Sequence, residues 1–159
     1  MTAITRILVP VDFSTHADRA FEFALSLARS FHAYVELLHV VEDPFAAGGW
    51  GSEVYLSDID GLRERAIADA STRLDDIRAA LSAQDVPVVV TVRMGRPAQT
   101  IVDYAQAVHA DLIVMGTHGR TGFAHLFVGS VAERVVRAAA CPVLTVGAKT
   151  LEHEGRAAA

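Results

Sequence analysis

Three glycines and a serine, Gly116, Gly119, Gly129 and Ser130, are spaced Gly-x2-Gly-x9-Gly-Ser behind the apolar run DLIVM (Asp111–Met115). Backbone without side chains approaches a ligand closely, and consecutive N–H groups can converge on an anion. A helical pattern resumes at Gly129–Ser130, and the free N–H groups and dipole of a helix start favour phosphate. Ser130 offers a hydroxyl donor, or alternatively serves as an N-cap, while His118 and Arg120 offer charge and hydrogen bonds or are ordinary loop residues. The chemistry this spacing suits is a phosphate cradle, with Gly116, Gly119 and Gly129 expected at positive φ. The connection is long for its class, since βα loops usually take about 2–6 residues. A second chemical set ends the first apolar run, at Pro10-Val11-Asp12-Phe13-Ser14. There Asp12 either supports the turn into a helix or binds a ribose hydroxyl or a phosphate-bound metal.

These residues need elements to position them. Strands are expected at Arg6–Val11, Tyr34–Val41, Val86–Val92, Asp111–Met115 and Pro142–Val146. Most are continuous apolar runs, as in parallel strands covered on both faces. A first helix starts at the N-cap Ser14 and carries Ala17, Ala20, Phe21, Ala24, Leu25 and Ala28 on one face. A second carries Leu62, Ala66, Ala70, Leu74, Ile77 and Leu81; a third follows Pro97 with Ala98, Ile101, Val102, Ala105 and Val108. The fourth begins near Gly129–Ser130 and carries Val131, Val135 and Ala138. The alternation βαβαβαβαβ predicts a doubly wound α/β domain over residues 1–148, with helices on both faces. In the order 3-2-1-4-5, strands one and four are neighbours, so the Asp12 turn and the glycine loop face one crevice beyond the strands' carboxyl ends. Residues Glu42–Asp60 lack periodicity and read as a surface loop, or a lid bearing Trp50 or Tyr55. The tail 149–159 reads as flexible.

Composition narrows the function classes. The chain has 159 residues, 52% of them apolar and 21% charged, which suits one domain with a sizeable core. Net charge is −5 without a basic run, which argues against a broad nucleic-acid surface. No apolar stretch reaches the roughly 18–20 residues of a membrane span. Cys141 is the single cysteine and the N-terminus lacks a signal-peptide pattern, so a cytoplasmic setting is expected. His39, within a strand, reads as a satisfied interior histidine; His109 and His125 lack metal-ligand spacing; Cys141 reads as core or rim. The only lysine is Lys149, so no Gly-Lys-Ser/Thr phosphate loop exists. The dinucleotide fingerprint after strand one, an acid ending strand three and a GxSxG elbow are all missing.

Taken with their flanks, DLIVMGTHGRTG before and GSVAERVVRAAACPVLTV after, the glycine motif, the opening ILVPVDFS and the segment LLHVVED resemble the universal stress protein family, specifically its ATP-binding branch. The resemblance covers about Thr5 to Val146. It implies a Rossmann-like fold of the adenine nucleotide alpha hydrolase type, a five-stranded parallel sheet in the order 3-2-1-4-5. It places Pro10, Val11 and Asp12 at adenine and ribose, with Val40 offering backbone groups to adenine and Met115 and Gly116 lining the base and ribose. His118, Gly119, Arg120, Gly129, Ser130 and Val131 would surround the phosphates of ATP, and Mg²⁺ would be held mainly by those phosphates. It also implies a homodimer through the Pro142–Val146 edge strand. The implied function is a nucleotide-dependent stress-response or regulatory module. The alternatives are a slow ATPase or phosphotransferase, for which Asp12, His118 and Arg120 are the candidate groups, and an interaction module that binds another adenine nucleotide or none.

Overall fold

The computed structural model describes residues 3–43, 56–81, 85–117 and 129–147. Nine elements alternate along the chain: β1 (Arg6–Pro10), α1 (Thr15–Phe31), β2 (Tyr34–Glu42), α2 (Leu56–Ala80), β3 (Val88–Gly95), α3 (Pro97–Ala107), β4 (Leu112–Gly116), α4 (Ser130–Ala138) and β5 (Val143–Val146). They form one sheet in the order β3-β2-β1-β4-β5, parallel throughout. The expected order and fold class are therefore those observed.

Continuous apolar strands are explained by two cores. Ile7 and Val9 join α1 and α2 on one face, with Ala20, Ala24 and Leu74. Leu8, Leu38 and Ile113 join α3 and α4 on the other, with Ile101, Ala105 and Val135. Alternate residues of a strand point to opposite faces, so a strand covered on both sides is apolar at most positions. Ile7, Leu8 and Val9 are all fully buried. The α1 stripe is buried as expected from Ala17 to Ala28. Ser14 caps α1 by accepting from the Ala17 N–H, and His32 ends it in the left-handed region at φ 55°.

Several boundaries move. β1 ends at Pro10, and β3 runs to Gly95, so Arg93-Met94-Gly95 lies inside the strand and not beyond it. The irregular segment expected over 42–60 is shorter: Glu42 is strand and Leu56–Asp60 belong to α2. Residues 44–55, including Trp50 and Tyr55, lie outside the described residues, as do His125 and the tail 149–159. Leu62, expected in the buried stripe of α2, is 49% exposed. In α4 the buried positions are Ala132 and Val135, and Ala138 is exposed.

The ends of the strands opposite the crevice are tied by Asp111. Its Oδ2 accepts from the Thr5 N–H at 2.8 Å, the Thr5 hydroxyl at 2.9 Å and the Arg6 N–H at 2.9 Å. These bonds, the Thr5 N–H first, hold its carboxyl below the ordinary value of 3.8. A depressed folded pKa contributes stability above the unfolded value, and that contribution is lost as pH falls through the folded one. Asp111→Asn is expected to cost on the order of 1 kcal/mol at pH 7 after solvent screening. The gap between variant and wild type should close below about pH 4 in urea titrations; a gap independent of pH would refute the carboxylate's part.

Candidate functional site

The carboxyl ends of β1, β2 and β4 open into a cavity of about 660 Å³, within the roughly 300–1,000 Å³ typical of small-molecule sites. It sits where connections leave β1 and β4 toward opposite faces of the sheet, the place where open α/β sheets bind ligands.

Each wall has a local cause. On the β1 side, Pro10 ends the strand and Asp12 builds the turn: its Oδ1 accepts from the Ser14 N–H at 3.0 Å and from the Ser14 hydroxyl at 2.5 Å. Asp12 thus does support the entry to α1, while still lining the cavity. On the β4 side, Met115 and Gly116 face the opening. The Thr117 N–H donates to the Val146 carbonyl at 3.0 Å, and the Gly129 N–H donates to the Thr117 carbonyl at 2.6 Å. Thr117 and Gly129 are therefore held side by side, which fixes the start of α4 beside the exit of β4.

Gly129 is the N-cap of α4, and no side chain among the described residues caps that helix. Ser130, expected as an N-cap, is instead the first helical residue. The leading N–H groups of a helix have no intrahelical partner, so an uncapped start beside a cavity is available to an anion. Positive φ is not what Gly116 and Gly129 provide: Gly129 has φ −54°, and Gly95 is the only positive-φ glycine among the described residues. Gly116 is needed for close approach, because a Cβ there would lie 3.0 Å from the His16 carbonyl oxygen in α1.

Every expected site residue within the described part of the chain lines this cavity: Pro10, Val11, Asp12 and Val40, then Met115, Gly116, Gly129, Ser130 and Val131. His118, Gly119 and Arg120 lie outside the described residues. Sequence reasoning missed the wall given by α2, where Ala66, Asp69, Ala70 and Arg73 share one helical face. The spacing 66-69/70-73 carried that signal, but only the alanines had been placed on an inward stripe. Also missed were Phe13, His39 and Pro97. The His39 Nδ1 lies 2.7 Å from the Val11 carbonyl oxygen, so that nitrogen donates. Away from the cavity, Cys141 is half-buried against the α3–α4 core, and burial pushes its thiol above the ordinary value. A raised thiol is a poor nucleophile.

The electrostatics are mixed. Asp12, Glu42 and Asp69 line the cavity together with Arg73. Carboxylate oxygens are hard ligands suited to Mg²⁺. No group of three or more metal-ligating side chains occurs among the described residues, so these residues fit a metal that arrives on phosphate oxygens better than one caged by protein. No described helix is long and apolar enough to cross a membrane.

Residues 3–147 match the model of the universal stress protein family. The chain belongs to that family. A universal stress protein of Methanocaldococcus jannaschii, MJ0531, is 36% identical over 146 residues, spanning 89% of this chain and 81% of its own length. The solved structure of MJ0577, a universal stress protein of the same archaeon, superposes with a TM-score of 0.80 at 27% identity, covering 92% of this chain and 97% of that one. A universal stress protein of Archaeoglobus fulgidus solved in complex with dAMP superposes with a TM-score of 0.53 at 25% identity, covering 91% and 98%. The universal stress protein described here thus shares its sheet order and helix placement with relatives of known structure.

Proposed function

We propose that this universal stress protein is an ATP-binding regulatory module of the stress response. The carrying observation is that the exits of β1 and β4 and the uncapped start of α4 converge on one cavity of about 660 Å³. Adenine and ribose lie against Val11, Val40, Met115 and Asp12, with the phosphates at Gly129, Ser130 and Val131. His118, Gly119 and Arg120 complete the phosphate side. Mg²⁺ travels with the phosphates and offsets the carboxylates on the wall. The dAMP complex of the Archaeoglobus relative supports an adenine nucleotide as the ligand class.

The test is direct. Calorimetry with Mg-ATP should show saturable binding, and native mass spectrometry of purified protein should show a co-purifying adenine nucleotide. No heat, no co-purifying ligand and no competition with a fluorescent ATP analogue would together remove the reading.

We also propose a homodimer. β5 is a sheet edge of four residues, and an apolar edge invites pairing with a second copy. Sedimentation at micromolar concentration is expected to give a dimer that Leu144→Lys dissociates; a wild-type monomer would rule it out.

A further inference from the structure

Phe13 follows Asp12 with φ 62°, a backbone conformation that a bulky side chain adopts only when its surroundings impose it. Those surroundings are visible. The Arg73 Cζ sits 3.8 Å from the Phe13 ring centroid, and the His39 ring centroid sits 4.4 Å from it, tilted by 35°. The ring is thus contacted from α2 and from β2 at once. The guanidinium lies over the ring within cation–π distance. His39 also holds the Val11 carbonyl at 2.7 Å. The main chain is therefore gripped immediately before and immediately after Asp12.

We propose that Arg73 and His39 are positioning residues for nucleotide binding, acting through Phe13 and Val11 to fix the Asp12 turn in its ligand-ready form. The inference rests on the nucleotide reading above and adds a route by which α2, remote in sequence from the glycine motif, sets affinity at the sugar side of the ligand. Arg73 acts through its cation–π contact with the Phe13 ring. Its removal is therefore felt by the sugar contact and not by the phosphates.

The experiment compares wild type, Arg73→Gln, Asp12→Ala and the double variant, with ATP and adenosine titrated separately and thermal unfolding recorded for each. Arg73→Gln should weaken both ligands by the same factor, about threefold to tenfold, the range a desolvated cation–π contact supports. That factor should vanish in the Asp12→Ala background, since the route through Asp12 is already cut. Arg73→Lys should recover part of the loss. A loss confined to ATP would overturn the proposal in favour of direct phosphate contact, and a loss that persists without Asp12 would overturn it as well. A second readout does not need the ligand: the Ser14 amide, bonded to Asp12 Oδ1 at 3.0 Å, should exchange faster with solvent deuterium in Arg73→Gln. Wild type that binds neither ligand defeats the nucleotide reading, and the Ser14 exchange rate then decides the clamp by itself, an unchanged rate refuting it.

Discussion

Gly129→Val should lower the affinity for Mg-ATP by about 100-fold or more, in a protein that still folds. A hydrogen bond to a charged group contributes about 1.5–3 kcal/mol, and each 1.4 kcal/mol is a factor of about ten in affinity. Gly129 is the N-cap of α4 and lines the cavity, so an isopropyl group there stands between the leading N–H groups and an incoming phosphate. Losing two such contacts accounts for the expected factor. The backbone itself tolerates the change, since φ −54° and ψ 147° are open to any residue. Valine is a poorer N-cap than glycine, which costs about 1 kcal/mol of helix stability, too little to unfold a domain.

Gly129→Ser separates two effects that valine combines. A serine at this position would cap α4 with its own hydroxyl and engage one of the N–H groups that the phosphate needs. Stability should rise by a few tenths of a kcal/mol while ATP affinity falls by about tenfold. Competition with a fluorescent ATP analogue, read beside urea unfolding, checks both. Wild-type affinity in a folded Gly129→Val protein would remove the helix start from the site and leave the phosphate cradle without its main support.

Legibility from sequence followed how locally each feature is determined. The α1 stripe and the βα alternation were readable because burial on two faces forces continuous apolar strands, while the 3-2-1-4-5 order came from its being a common arrangement of five strands and from the family resemblance. The site residues of β1, β4 and α4 were readable because they follow strand ends. The α2 wall was not. Asp69 and Arg73 are ordinary charged helix residues in sequence, and only the packing of α2 over Phe13 brings them to the cavity. Phe13 itself gives no sign of φ 62° in sequence; the Asp12–Ser14 bonds close the turn around it, and its ring contacts Arg73 of α2 and His39 of β2. At Gly116 and Gly129 the expected positive φ is not found, and the close approach that Gly116 permits is to α1. At Gly116 the missing side chain makes room for His16 of α1, 100 positions earlier in the chain.

That neighbour makes Gly116→Val the most destabilising change expected at the site. Even a single Cβ at Gly116 would lie 3.0 Å from the His16 carbonyl oxygen, 3.1 Å from its carbonyl carbon and 3.2 Å from its Cβ. The first two are backbone atoms in the first turn of α1, so no rotamer change relieves the contact. α1 would have to move from β4, or β4 from its partners. β4 is central, paired with β1 on one side and β5 on the other, and its Ile113 and Val114 are fully buried. Neither side can give without opening packed core. Overpacking of this kind costs about 1–3 kcal/mol, which is the expected loss for Gly116→Ala. The two further methyl groups of valine should take the loss above about 3 kcal/mol, a large part of the roughly 5–15 kcal/mol that holds a domain folded. Urea midpoints measured for wild type, alanine and valine should fall in that order. The ligand cannot rescue the series, because the clash lies on the α1 side of the glycine and remains when the cavity is filled. Equal midpoints for wild type and alanine would show that α1 can retreat freely, and the close contact would then not be what requires glycine at the end of β4.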